Sequence, residues 1–109
     1  MITVRNIIDY IKKHETEFDL LDARTITNKI LNFEIRLLQD PVFNWKFNSI
    51  TISRFNDDIP FLRKEKDPYI IITDDDKISD EETDELYFLF KSIKNRIIKE
   101  EIENKILNG

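Results

Sequence analysis

The chain has 109 residues, 40% of them apolar and 36% charged, and a formal net charge of −5. That length and balance fit one folded domain spanning residues 1–109 and exclude a disordered chain. The absence of cysteine excludes disulfide and thiolate chemistry and suits a reducing, cytoplasmic setting, while the net acidity argues against direct nucleic-acid binding.

Val4, Ile7, Ile8 and Ile11 recur at helical spacing behind Thr3, a residue suited to an N-cap. A first helix is therefore predicted from about Val4 to His14. The opening "MITVRNIIDYIKK" has no long apolar stretch and no small-residue cleavage site, so it does not read as a signal peptide. "ETEFDLLD" reads as a connection whose Phe18, Leu20 and Leu21 tuck against the core. A second helix is predicted next: Ile26, Ile30, Phe33 and Leu37 repeat at helical intervals, Leu31, Ile35 and Leu38 widen the stripe, and Asp22 or Thr25 can cap its start. Pro41 ends it, because a proline disfavours the helical conformation of the residue before it.

The period then falls to two. Phe43, Trp45 and Phe47, then Ile50 and Ile52, alternate with polar residues, giving a hairpin turning at Asn48–Ser49 or one long bent strand. "FLRKE" and "YIIIT" are further strand candidates, and the run Tyr69–Ile72 is apolar on both faces, as a central strand would be. Ser79 and Glu82 form a capping-box pattern that opens a final helix reaching about Leu107. The predicted fold is thus α+β: two N-terminal helices, a small antiparallel three- or four-stranded sheet and a long C-terminal helix. No apolar run is long enough to span a bilayer, so no membrane partner is expected.

Charge is unevenly placed. Between Asp74 and Glu85 lie eight carboxylates and one lysine, Lys77, so the remaining residues together are slightly basic. Acids in a first helical turn complement the macrodipole, which accounts for Asp80, Glu81 and Glu82. It does not account for Asp74, Asp75 and Asp76 outside the helix, or for the like-charge pairs Asp80/Asp84 and Glu81/Glu85 at i, i+4. Three chemistries could use such acidity. A calcium loop over Asp74–Glu85 has carboxylates at several ligand positions, but Ser79 stands where a glycine turn is needed and Ile78 and Glu81 are misplaced. A metal-dependent hydrolase or nuclease could draw on Asp75-Asp76-Lys77 with Asp57 or Asp58, yet it would lack a basic path for its substrate. An acidic face for a basic protein partner, such as a nucleic-acid-binding enzyme, needs no fixed spacing and fits best. Its residues are Asp74, Asp75, Asp76, Asp80, Glu81, Asp84 and Glu85.

Other constellations are sparse. His14 is the only histidine and sits where it favours a helix C-terminus. Trp45 with Phe43 and Phe47 reads as core rather than a base-stacking platform, since no lysine-rich surround accompanies it. No glycine-rich loop exists, so phosphate cradles are excluded, and no cofactor, metal or catalytic residue is expected. On the last helix Leu86, Leu89, Phe90, Ile93 and Ile97 form one apolar stripe, which should cover the sheet. Ile98, Ile102 and Ile106 lie nearly opposite, with Phe88 beside them. This second stripe either packs on the N-terminal helices or meets another chain, a homodimer being the simplest case. The expectation is a non-enzymatic interaction protein, an inhibitor or sequestering protein of the immunity or phage anti-defence kind. The alternatives are a small metal-dependent hydrolase and a structural subunit of a larger assembly.

Overall fold

The computed structural model describes residues 2–39, 47–54, 70–73 and 78–109. Helix α1 spans Val4–Lys13, strands β1 to β5 span Phe18–Asp22, Thr25–Asn28, Phe33–Gln39, Phe47–Arg54 and Ile70–Thr73, and helix α2 spans Asp80–Asn108. The strands form one antiparallel sheet in chain order, β1-β2-β3-β4-β5. The class is α+β with a long C-terminal helix, as the sequence predicts, but the described residues hold one N-terminal helix and five strands.

The register explains the core. Leu20, Ile26, Ile35, Ile52 and Ile70 are aligned partners across all five strands, and Leu37, Ile50 and Ile72 form the next row. These two rows meet Val4, Ile7, Ile8 and Ile11 of α1 and Leu86, Leu89, Phe90 and Ile93 of α2 in one core. Each fully buried isoleucine or leucine contributes about 1.5–3 kcal/mol relative to exposure. The first stripe of α2 thus lies on the core side, as its periodicity predicts.

Both helices start as their capping residues dictate. Thr3 Oγ1 accepts the Asn6 N–H at 3.1 Å while Asn6 Oδ1 accepts the Thr3 N–H at 3.0 Å. Ser79 Oγ accepts the Glu82 N–H at 3.1 Å, and the Glu82 carboxylate accepts in return from the Ser79 hydroxyl and N–H. His14 caps the end of α1 through its backbone N–H, stacks its ring on Tyr10 and contacts the Glu17 carboxylate.

The predicted second helix is not there. Its residues form β2, a turn and β3. Asp22 caps a hairpin rather than a helix, its Oδ1 accepting the Arg24 N–H at 2.9 Å. Asn28, fully buried, holds the next turn by accepting the N–H groups of Ile30 and Leu31, both at 3.0 Å. Asn32 closes that turn in the left-handed region, with φ of 56°, which asparagine tolerates better than most residues. Ile30 and Leu31, taken as stripe residues, are exposed at the turn. The true period is two: Ile26 between Thr25 and Thr27, and Phe33, Ile35 and Leu37 between Glu34 and Arg36.

Three smaller expectations change. The segment around Phe18 is a strand rather than a connection; Phe18 is buried, Leu20 joins the core edge, and Leu21 is exposed. Of the two readings at Asn48–Ser49, the hairpin gives way to the single irregular strand: β4 continues through both residues, with a register shift there opposite Leu38 and Gln39. The strand expected to be central, β5, pairs only with β4 among the described strands. A continuous apolar run reports burial of its faces, not the number of its neighbours. "FLRKE", Phe43 and Trp45 lie outside the described residues.

Candidate functional site

Of the seven carboxylates assigned to a partner-binding face, Asp74, Asp75 and Asp76 lie outside the described residues. The capping box sets Asp80, Glu81, Asp84 and Glu85 on the first two turns of α2. Glu85 points toward α1. Its carboxylate accepts from Arg5 at 2.6 and 3.3 Å and from Lys12 at 3.2 Å. The hydrogen bond from Arg5 holds Glu85 below the usual carboxylate range, helped by Lys12, and the same bond raises the Arg5 guanidinium. Glu85 is therefore a clasp between the two helices, and its charge is engaged inside the molecule. The repulsion expected between Glu81 and Glu85 meets its counter-charge from residues 80 and 73 positions away. Sequence spacing gives no sign of that.

Glu81 and Asp84 are exposed on the outer side of α2. One turn beyond Asp84 stands Phe88, 70% exposed. Phe88 and Asp84 border a shallow groove completed by Lys12, Glu85 and Leu89. Within "LYFLF" the helical angle of Phe88 separates it from Leu89 and Phe90 and places it with the second stripe. Further along the same helix Ile98, Ile102 and Ile106 are 41%, 53% and 76% exposed. The second stripe does not pack on the N-terminal helix. Every residue from 98 onward is exposed.

What anchors α2 is its other flank. Arg96 donates to the Glu15 carbonyl at 2.9 Å and to the Phe18 carbonyl, and the Ser92 hydroxyl donates to the Glu15 carboxylate at 2.7 Å. The two Arg96 bonds satisfy backbone acceptors at the junction of the 3₁₀ turn Glu15–Glu17 and β1, and the Ser92 bond holds the Glu15 side chain. They fix the direction in which the free end of the helix projects.

Two further places were not foreseen from sequence. On the sheet face away from the two apolar rows, Thr27, Glu34 and Ser53 are aligned partners on adjacent strands, and all three are buried. Arg36 lies 3.7 Å from Glu34. A recess of about 390 Å³ opens between α1 and the sheet, lined by Ile7, Phe33, Ile52 and Ile70 together with Asn6 and Tyr10. Among the described residues its lining holds no acid–base pair.

Of the calcium-loop reading, Asp80–Glu85 are helical, and Asp74–Asp76 lie outside the described residues. Among the described residues no three histidine, aspartate or glutamate side chains gather as metal ligands. Asp57, Asp58 and Asp74–Asp76, on which the hydrolase alternative rests, lie outside those residues. Among the described residues no helix is long and apolar enough to cross a membrane. Compared with protein-family models, curated proteins and solved structures, the chain matches none.

Proposed function

We propose that the protein is a non-enzymatic binding module that engages a basic macromolecular target, such as a nucleic-acid-binding enzyme, through the N-terminal half of α2. The observation that carries this reading is Phe88, largely exposed one turn from Asp84 on a helix whose opposite side is locked into the core. An exposed aromatic on a rigid element is the kind of residue that anchors an interface, and neighbouring carboxylates steer a lysine- and arginine-rich surface toward it. Glu81 and Asp84 supply that field, Asp80 adds to it, and Asp74–Asp76 precede them in the sequence. Glu85 contributes by holding α2 in place. Binding of this kind suits an inhibitor or sequestering protein of the immunity or phage anti-defence sort, working in a reducing cytoplasm.

The test is affinity capture from the source cell with wild type, with Phe88→Ala, and with Glu81→Gln plus Asp84→Asn. The expected outcome is a basic protein retained by wild type, eluted by salt, and lost with either variant. Equal retention by all three would remove the face from the function.

A further inference from the structure

We propose that the C-terminal half of α2 binds an anionic lipid surface, with Ile98, Ile102 and Ile106 turned toward the acyl chains. The inference goes beyond the binding of a basic target, concerns the other half of the helix and does not depend on it. A helix that rests on a bilayer needs no spanning run, only an apolar strip edged by cations.

Ile98, Ile102 and Ile106 follow one another at i, i+4 and i+8, about 40° apart around the axis, and all three are exposed. The charges around them are sorted by sign. Lys91, Lys99 and Lys105 lie within about 60° of Ile102 and Lys94 within about 80°, and all four are exposed. Glu100, Glu101 and Glu103 stand about 100–160° from Ile102, further round the helix than any of these lysines. From Lys91 to Ile106 the face thus carries four lysines, Asn95 and no carboxylate. Lys99 comes within 3.9 Å of Glu103, and its side chain remains 76% exposed.

Charge and size both select lipid. Lysines at the margins of an apolar strip bury their stems and hold their ammonium groups at the level of lipid phosphates, while the glutamates turn toward water. The acidic start of α2 does not cancel that attraction. Glu85 lies about 20 Å along the axis from Ile98, more than two screening lengths at physiological salt. The N-terminal half of α2 adjoins α1 and the groove beside Phe88, which widens its footprint for a protein. The strip from Lys91 to Ile106 is about 22 Å long and about 10 Å wide, roughly a quarter of what one partner contributes to a standard protein interface. A bilayer needs no matching pocket and holds such a strip by apolar burial and charge together. The binding is therefore weak, reversible and sensitive to salt.

The test is flotation of the purified full chain with lipid vesicles in a density gradient. Vesicles of equal parts phosphatidylserine and phosphatidylcholine should carry the chain upward, less so as salt rises, and vesicles of phosphatidylcholine alone should not. Ile102→Ser with Ile106→Ser, both at exposed positions, should reduce binding at least about tenfold without loss of helical circular dichroism. Lys99→Glu, Glu103→Lys, Glu101→Lys and Lys105→Glu together keep the net charge and both i, i+4 pairs but set carboxylates beside the isoleucines. That variant should also lose at least about tenfold. Glu81→Gln with Asp84→Asn, which should lose the basic target, should still float, so the two readings fail separately. Absence of the chain from the mixed-vesicle fraction would overturn the proposal in favour of a protein partner. Equal flotation on both kinds of vesicle would overturn it too, since the lysines would then play no part. So would a four-fold exchange that floats like wild type, since binding would then ignore the face.

Discussion

The two ends of α2 are one helix under two regimes. From Asp80 to Ile97 it is capped by a reciprocal box, buried along Leu86, Leu89, Phe90 and Ile93, clasped to α1 through Glu85 and tied to the start of β1 through Arg96. From Ile98 to Asn108 every residue is exposed, and no such anchor from another element occurs among the described residues. Its support is local, from pairs such as Arg96–Glu100 and Lys99–Glu103 at i, i+4, each worth about 0.2–0.5 kcal/mol. Isoleucine occurs in both regions, so residue type does not separate them. What separates them is whether another element lies within reach. An apolar stripe on a helix reports that something covers it, and leaves open whether the cover belongs to the same chain.

The sharpest way to break this comparison is to cut the same side chain at both ends. Ile93→Ala should lower stability by about 2–5 kcal/mol in urea denaturation, because it empties a fully packed site. Ile102→Ala should stay within about 0.5 kcal/mol under dilute, monomeric conditions. Comparable losses at the two positions would mean that the free end is covered after all.

A smaller effect sharpens the boundary between the regimes. Arg96→Met keeps most of the aliphatic stem but removes the donors that reach the Glu15 and Phe18 carbonyls. A loss of about 1.5–3 kcal/mol is expected, the range for hydrogen bonds to a charged group. Amide exchange should accelerate first from Ser92 toward the C-terminus.

The weakest effect depends on pH. Glu85 titrates below its ordinary range because Arg5 donates to its charged form. Its stabilisation is therefore present above the unfolded carboxylate value, near about 4.3, and is lost as pH falls through the lower folded value. Wild type should exceed Glu85→Gln in melting temperature at neutral pH, and the gap should close in acid. A gap that persisted in acid strong enough to protonate the folded carboxylate would show that Glu85 acts through packing instead of charge.

The sequence was legible where one element's own pattern decides its fate. Thr3, Ser79 and Glu82 mark helix starts because a cap is made by residues three apart. Leu86 to Ile93 mark a core face because their period is local to one helix. Reading failed at Ile26–Leu38, where two short strands and a four-residue turn happen to imitate a helical stripe. The asparagines at 28 and 32 and the β-branched run Thr25–Thr27 were the signals against it. The acidic segment was legible as a concentration of charge but not as a site, since nothing near Glu85 in sequence announces Arg5 or Lys12. Phe88 was legible by its helical angle as a member of the second stripe, but not as an uncovered one: exposure is a property of what does not pack, and a sequence does not list absences.

The meander order of the sheet has a kinetic side. β1 and β2 are joined by the two residues Ala23 and Arg24, and β2 and β3 by four, Lys29 to Asn32. Closing such short loops immobilises little chain, so this stretch can zip from neighbour to neighbour. The clasp of Arg5 and Lys12 on Glu85 is of another order, because it joins residues 80 and 73 positions apart. By loop-closure entropy it belongs late in folding, after the sheet has brought the chain's two helices to the same side. The ion pairs that bind α1 to α2 then act as a lock on a finished fold and play no part in starting it.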